Sequence, residues 1–158
     1  FANHEVDKRY LALVEGLPAD DDWRVDQPLG FDKTSKVPIK MGPGCLSAST
    51  DFQVLARGTT RTLLEVRTEG GRQHQIRVHA SLCGHPLVGD KLYGPSEDYF
   101  LQRRKIPTAQ TIEALGHWRH ALHAHQLTAE FLPKTIRIKP PKDWLNIRGI
   151  PDNILNIP

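Results

Sequence analysis

The sequence predicts a single α+β domain over residues 1–158, a mixed and mainly antiparallel sheet with flanking helices. Three observations carry this expectation. Short runs rich in β-forming residues recur along the chain, closed by glycine, proline or threonine pairs. One segment has a clear helical face, with Ile76, His79, Ala80 and Cys83 at i, i+3, i+4 and i+7. Strands and helices do not alternate regularly, and no repeat or low-complexity block occurs, so a doubly wound fold is not expected.

The elements follow in order. Tyr10-Leu11-Ala12-Leu13-Val14, closed by Gly16-Leu17-Pro18, has the pattern of a buried strand. Residues 19–44 are loop-like, with the acidic run Asp20-Asp21-Asp22 and several prolines. Short strands are expected within them at Trp23-Arg24-Val25 and Val37-Pro38-Ile39. Residues 52–56 and 62–68 are stronger strands, with Gly58 and two threonines between them. Glu69-Gly70-Gly71 breaks the pattern before the helix over 75–83, which Gly84-His85-Pro86 stops. A second, polar helix is expected over 96–104. Strands are expected over 122–131 and 135–139, then a short helix around Asp143-Trp144-Leu145.

Composition narrows the function classes. Hydrophobic residues make up 39% and charged residues 25%, enough to bury a core and too mixed to be disordered. Lys and Arg number 21 against 18 Asp and Glu, a net charge of +3 that permits a polyanionic partner without demanding one. Cys45 and Cys83 make no disulfide framework and no C-x-x-C pair. No apolar run approaches the roughly 20 residues of a membrane span, and nothing resembles a signal peptide. The expectation is a soluble cytoplasmic protein with no membrane partner. Because the chain opens with Phe1 rather than Met, the expectation is a cut end with natural sequence before it, the alternative being only a tag or a few further residues.

Two residue types stand out. His117, His120, His123 and His125 are clustered, and His123-Ala124-His125 has the spacing that puts two imidazoles on one face of a strand. A third convincing ligand is lacking, so a structural role is favoured and no metal is expected. Arg57, Arg61, Arg67, Arg72 and Arg77 form the second set. Guanidinium groups beside Gly70-Gly71 at a helix N-terminus suit an anion. No nucleophile elbow, phosphate loop, dinucleotide fingerprint or H-E-x-x-H motif occurs.

The string Gly71-Arg72-Gln73-His74-Gln75-Ile76-Arg77-Val78-His79, followed by Gly84-His85-Pro86-Leu87-Val88-Gly89-Asp90 and Leu92-Tyr93-Gly94, resembles the signature of RluA-type RNA pseudouridine synthases. Lys8-Arg9-Tyr10-Leu11-Ala12-Leu13-Val14 resembles the family's segment carrying its active-site tyrosine, and Leu122-His123-Ala124 its later strand. The resemblance covers residues 6–131. Gln73 stands where the family usually has Thr or Ser. The H-R-L-D-x-x-T-S-G motif that carries the family's catalytic aspartate is absent, so the chain resembles the C-terminal part of the catalytic domain.

The resemblance implies the pseudouridine synthase fold in part, RNA (ribosomal or transfer) as partner, no DNA, and no metal or organic cofactor. It implies that uridine is isomerised by breaking its N-glycosidic bond and rejoining the base through carbon. Tyr10 and Arg77 are then the catalytic candidates: Tyr10 stacks on the extruded base and moves a proton at C5, while Arg77 holds the aspartate ionised. Ile76, Arg72, His74, Gln75 and Arg57 are the substrate-binding candidates, with the Arg103-Arg104-Lys105 loop as a further phosphate contact. Without the family, Tyr10 is by default a core residue and Arg77 a surface helix residue. The fragment alone is expected to be inactive. The alternative is a non-catalytic RNA-binding module derived from that fold, and a weaker third reading is a metal-dependent hydrolase built on the histidines.

Overall fold

The computed structural model describes residues 6–103, 105, 108–151 and 154. The chain runs through β1 (Val6–Glu15), β2 (Asp22–Val25), β3 (Leu29–Phe31), β4 (Met41–Pro43), β5 (Ser49–Arg57) and β6 (Arg61–Glu69). Then come α1 (Gln75–Leu82), α2 (Asp98–Leu101), α3 (Thr108–Leu115), β7 (Leu122–Ala129), β8 (Ile136–Arg137) and a 3-10 turn, Lys142–Asn146. The main sheet has the order β2-β5-β6-β1-β7-β8 with every neighbouring pair antiparallel, and β3 and β4 form a separate hairpin. This is the expected α+β architecture.

Burial explains why β1 sits near the middle. Leu11, Ala12, Leu13 and Val14 are all fully buried, so both faces of the strand are covered. Because side chains alternate, Leu11 and Leu13 join Leu63, Trp144 and Ile147 on one face. Ala12 and Val14 join Phe52, Leu64, Val66 and the helical residues Ile76 and Ala80 on the other. Each buried leucine contributes roughly 1.5–3 kcal/mol. Helix α1 is itself enclosed on two sides. Ile76 and Ala80 face the sheet, while Val78 packs with Leu29, Met41, Leu92 and Tyr93 beneath the β3–β4 hairpin.

Several expected elements differ. The strand expected at Val37-Pro38-Ile39 is a turn, closed by Lys40 N–H donating to the Val37 carbonyl at 2.9 Å. Glu97 fixes this turn by accepting from Ser35 Oγ at 2.7 Å, Lys36 N–H at 3.1 Å and Lys40 Nζ at 3.0 Å. The real strands flank it as β3 and β4. The helix expected over 96–104 shrinks to the four residues of α2. The strand expected over 135–139 keeps only Ile136 and Arg137, an edge that pairs with Gln126 and Leu127 and ends where the Ile138 amide donates to the carbonyl of the bulge residue His125 at 2.8 Å. α3 has no counterpart among the expected elements. Arg104 of the expected phosphate-binding loop lies outside the described residues.

Candidate active site

Tyr10 shares the face of β1 that carries Ala12 and Val14, and so lies on the α1 side of the sheet. Register places it: Arg9 pairs with Gln126 but Tyr10 pairs with Ala124, so β7 bulges by one residue beside Tyr10. Such bulges bend a strand and re-aim neighbouring side chains. Opposite, Gly70 (φ 94) and Gly71 (φ 66) turn β6 sharply into α1. Between them opens a cleft of about 390 Å³ lined by Tyr10, Arg72, His74, Gln75, Ile76 and Arg77, with Thr68, Gly71, His120 and Leu122. Of the sequence-predicted site residues, Tyr10, Arg72, His74, Gln75, Ile76 and Arg77 therefore meet in one place, while Arg57 and the described members of the 103–105 loop, Arg103 and Lys105, do not line it. Among the described residues lining it, none is a carboxylate.

Arg77 is not the surface residue that helix position alone suggests. Its Nε and Nη2 donate to the two oxygens of Asp90, each at 2.7 Å, and its guanidinium lies 4.8 Å from the centre of the Tyr93 ring. Asp90 is buried and also accepts the amides of Leu92 and Tyr93 at 2.9 and 3.0 Å. Burial alone pushes that carboxyl up, but the Arg77 bonds and charge and the two amides outweigh it and hold it below the usual carboxylate range. Arg77 lines the cleft, and its Nη1 has no acceptor among the described residues.

The entry to α1 is held by two side chains. Gln75 is buried; its Oε1 accepts the Arg72 amide at 2.8 Å, and its Nε2 donates to the Ser49 carbonyl at 2.8 Å, with Thr50 Oγ1 and the Glu69 carbonyl close by. Its polar atoms are therefore spent on the fold, and it shapes the cleft wall rather than offering a free contact. His74 has φ 56, the one positive value among the described non-glycine residues, a conformation that strains an L-residue by on the order of 1 kcal/mol. Its Nδ1 lies 2.8 Å from Tyr93 Oη. Desolvation, then the charge of Arg77, lowers its pKa and favours the neutral ring.

The remaining arginines sit in different places. Arg57 is away from the cleft and clasps the loop before β2, donating to the Pro18 and Asp20 carbonyls and, at 2.7 Å, to Asp21. Arg61 is held by Glu15 and Arg67 by Glu65. Arg72 alone of these is exposed at the cleft, with Nε on the Ser47 carbonyl at 3.1 Å. His123 and His125 do share a face, but both rings meet the Ile138 carbonyl, at 3.0 and 2.8 Å. No group of His, Cys, Asp or Glu able to hold a metal ion occurs among the described residues. Asp90 and Tyr93 stood in the quoted family string without a role; the signal for them is spatial, since Arg77 and Asp90 are separated by 13 positions.

Comparison with known proteins bears on this site. A family model described as RNA pseudouridylate synthase matches residues 1–82. An uncharacterized RNA pseudouridine synthase of Bacillus subtilis, YlyB, is 43% identical over 59% of this chain and 31% of its own length. Ribosomal large subunit pseudouridine synthase D of Zymomonas mobilis is 35% identical over 80% of this chain and 38% of its own length. The chain thus spans about a third of the curated relatives it matches. Among solved structures, human RNA pseudouridylate synthase domain containing 1 superposes with a TM-score of 0.66 and 27% identity, over 88% of this chain and 56% of that one.

Proposed function

This chain belongs to the RNA pseudouridylate synthase family, and we propose on that premise that its cleft takes a uridine extruded from RNA and isomerises it to pseudouridine. The observation that carries the reading is the gathering of Tyr10, Ile76, His74 and Arg77 around one cleft whose described lining holds arginines and histidines but no acid. Such a pocket offers a flat base an aromatic and apolar bed, and offers a carboxylate a fixed cation.

In the reaction, the bond from C1′ to N1 breaks, the base turns, and a bond from C1′ to C5 forms; the C5 proton leaves and N1 gains one. Tyr10 stacks on the base, and its hydroxyl takes part in moving the C5 proton. Arg77, clamped from behind by Asp90, presents Nη1 to the nucleophilic carboxylate. Asp90 itself is not that nucleophile, because its side chain is fully buried and both oxygens are occupied. We assign the nucleophile to an aspartate outside these 158 residues, so the chain alone is inactive. Ribosomal RNA is the favoured substrate class over transfer RNA, in keeping with the name of the Zymomonas relative, a ribosomal large subunit pseudouridine synthase.

Release of tritium from RNA labelled at uridine C5 tests this. The complete protein should release it and the 158-residue chain alone should not. Release by the chain alone would overturn the assignment of the nucleophile. A complete protein that binds RNA without release would be the non-catalytic RNA-binding module instead.

A further inference from the structure

His74 lines the cleft, yet the steps above leave its imidazole unused. It also occupies a left-handed backbone position that glycine would adopt without strain. What the ring presents to the cleft is fixed by two buried neighbours. Tyr93 Oη accepts the Met41 amide at 2.8 Å and stands 2.8 Å from His74 Nδ1. Tyr93 is buried, and its single hydroxyl proton has no other acceptor among the described residues. An unpaired buried hydroxyl is costly, so the proton points at Nδ1, which must then be the unprotonated nitrogen. The ring proton consequently sits on Nε2. That atom has no acceptor among the described residues and is not among the enclosed polar atoms.

We propose that His74 is a specificity-determining residue whose Nε2–H donates a hydrogen bond to the C4 carbonyl oxygen of the uracil ring. This rests on the reading that a uridine of RNA enters the cleft. Desolvation and the Arg77 charge disfavour a protonated ring, which suits a neutral carbonyl acceptor rather than a phosphate. Where cytosine carries an amino group in place of the C4 carbonyl, donor meets donor, and the wrong base is rejected.

The test compares short oligouridylate, oligocytidylate and an abasic ribose–phosphate oligomer of equal length, each titrated against the complete protein. His74→Asn keeps a side chain that tolerates the left-handed backbone, and His74→Phe keeps the ring but has no N–H. Wild type should prefer oligouridylate, and both variants should lose about tenfold of that affinity while binding the abasic oligomer as before. The His74 Nε2 resonance of 15N-histidine-labelled protein should move with oligouridylate and stay still with the abasic oligomer. An equal shift with the abasic oligomer would show a phosphate contact and overturn the proposal. So would an undiminished uridine preference in both variants. If either variant melts early, Tyr93→Phe, which removes only the hydroxyl, should still weaken the preference, and an unchanged one overturns the proposal. Wild-type protein with neither tritium release nor uridine preference would overturn the family-based function, and this assignment with it.

Discussion

Asp90 grips Arg77 through two 2.7 Å hydrogen bonds, one to Nε and one to Nη2, leaving Nη1 as the guanidinium's open corner. A planar fork bound in this way cannot rotate, so the direction of the open corner is set by the fold before any ligand arrives. The pair is inside the protein: the Asp90 side chain is 0% exposed and that of Arg77 13%.

Arg77→Ala should therefore act on stability as well as on chemistry. It strands a buried carboxylate, which typically costs about 3–5 kcal/mol. Urea denaturation should show that loss, and adding Asp90→Asn should recover part of it. Arg77→Lys should fall in between, since a point charge satisfies only one oxygen well. An Arg77→Ala protein with an unchanged urea midpoint would contradict the burial argument.

Acid should weaken the fold in two stages. His79 is fully buried, with Nδ1 2.8 Å from Thr50 Oγ1 and Nε2 2.9 Å from the Gln27 carbonyl; desolvation lowers its pKa below the ordinary 6.5. His74 is shifted the same way. The unfolded chain thus binds these protons more readily, so stability is full above pH 6.5 and falls as pH drops through that value. Asp90, held below its ordinary 3.8, adds stability above that pH that is lost as pH falls past it. Urea midpoints measured from pH 8 to 3 should step down twice; a flat profile between pH 7 and 5 would remove the histidine stage.

Tyr10 separates binding from turnover. Tyr10→Phe keeps the ring that stacks on a base and loses the hydroxyl. RNA affinity should persist while tritium release drops by about 10²-fold or more, the usual worth of a positioned proton carrier. Tyr10→Ala should lose both. Near-normal release by folded Tyr10→Phe would make the residue a core aromatic and nothing more.

Arg72 and Arg57 should differ in their response to salt. Arg72 is exposed at the cleft, so Arg72→Ala should weaken RNA binding and reduce the log–log salt slope by about 1. Arg57 is bonded to the Pro18, Asp20 and Asp21 loop, so Arg57→Ala should lower the melting temperature and leave the slope unchanged. Equal effects on the slope would restore Arg57 as a phosphate contact.

The strands with continuous apolar runs were legible because burial on both faces leaves its mark in the residues themselves, as at Leu11 to Val14. Helix α1 was legible through the periodicity of Ile76, His79 and Ala80. The turn at Val37 was misread because β-branched residues suggest a strand, while the deciding contact, Glu97, is 61 positions from Lys36. α3 went unseen because Thr111 and Leu115 are its only buried residues, too few for a face. In the site, the family string located Tyr10, His74 and Arg77, but not what holds them. The Asp90 clamp and the Tyr93 lock are pairings across folded loops, and no local spacing encodes them.

The bulge between Arg9 and Tyr10 splits β7 into two half-strands whose facing is set independently. Leu122 and Ala124 are indexed to the cleft side of β1, and Gln126 onward to its outer reach, with His125 as the spare tooth between the two gears. The extra tooth can be taken out without unmeshing either gear: without His125, Ala124 and Gln126 would stand opposite Tyr10 and Arg9 in a regular ladder, each half-strand keeping its partners and its faces. What would go is the local bend beside Tyr10, and with it the aim of that side chain into the cleft. A β7 shortened by this one residue should therefore fold and yet hold its tyrosine at the wrong angle.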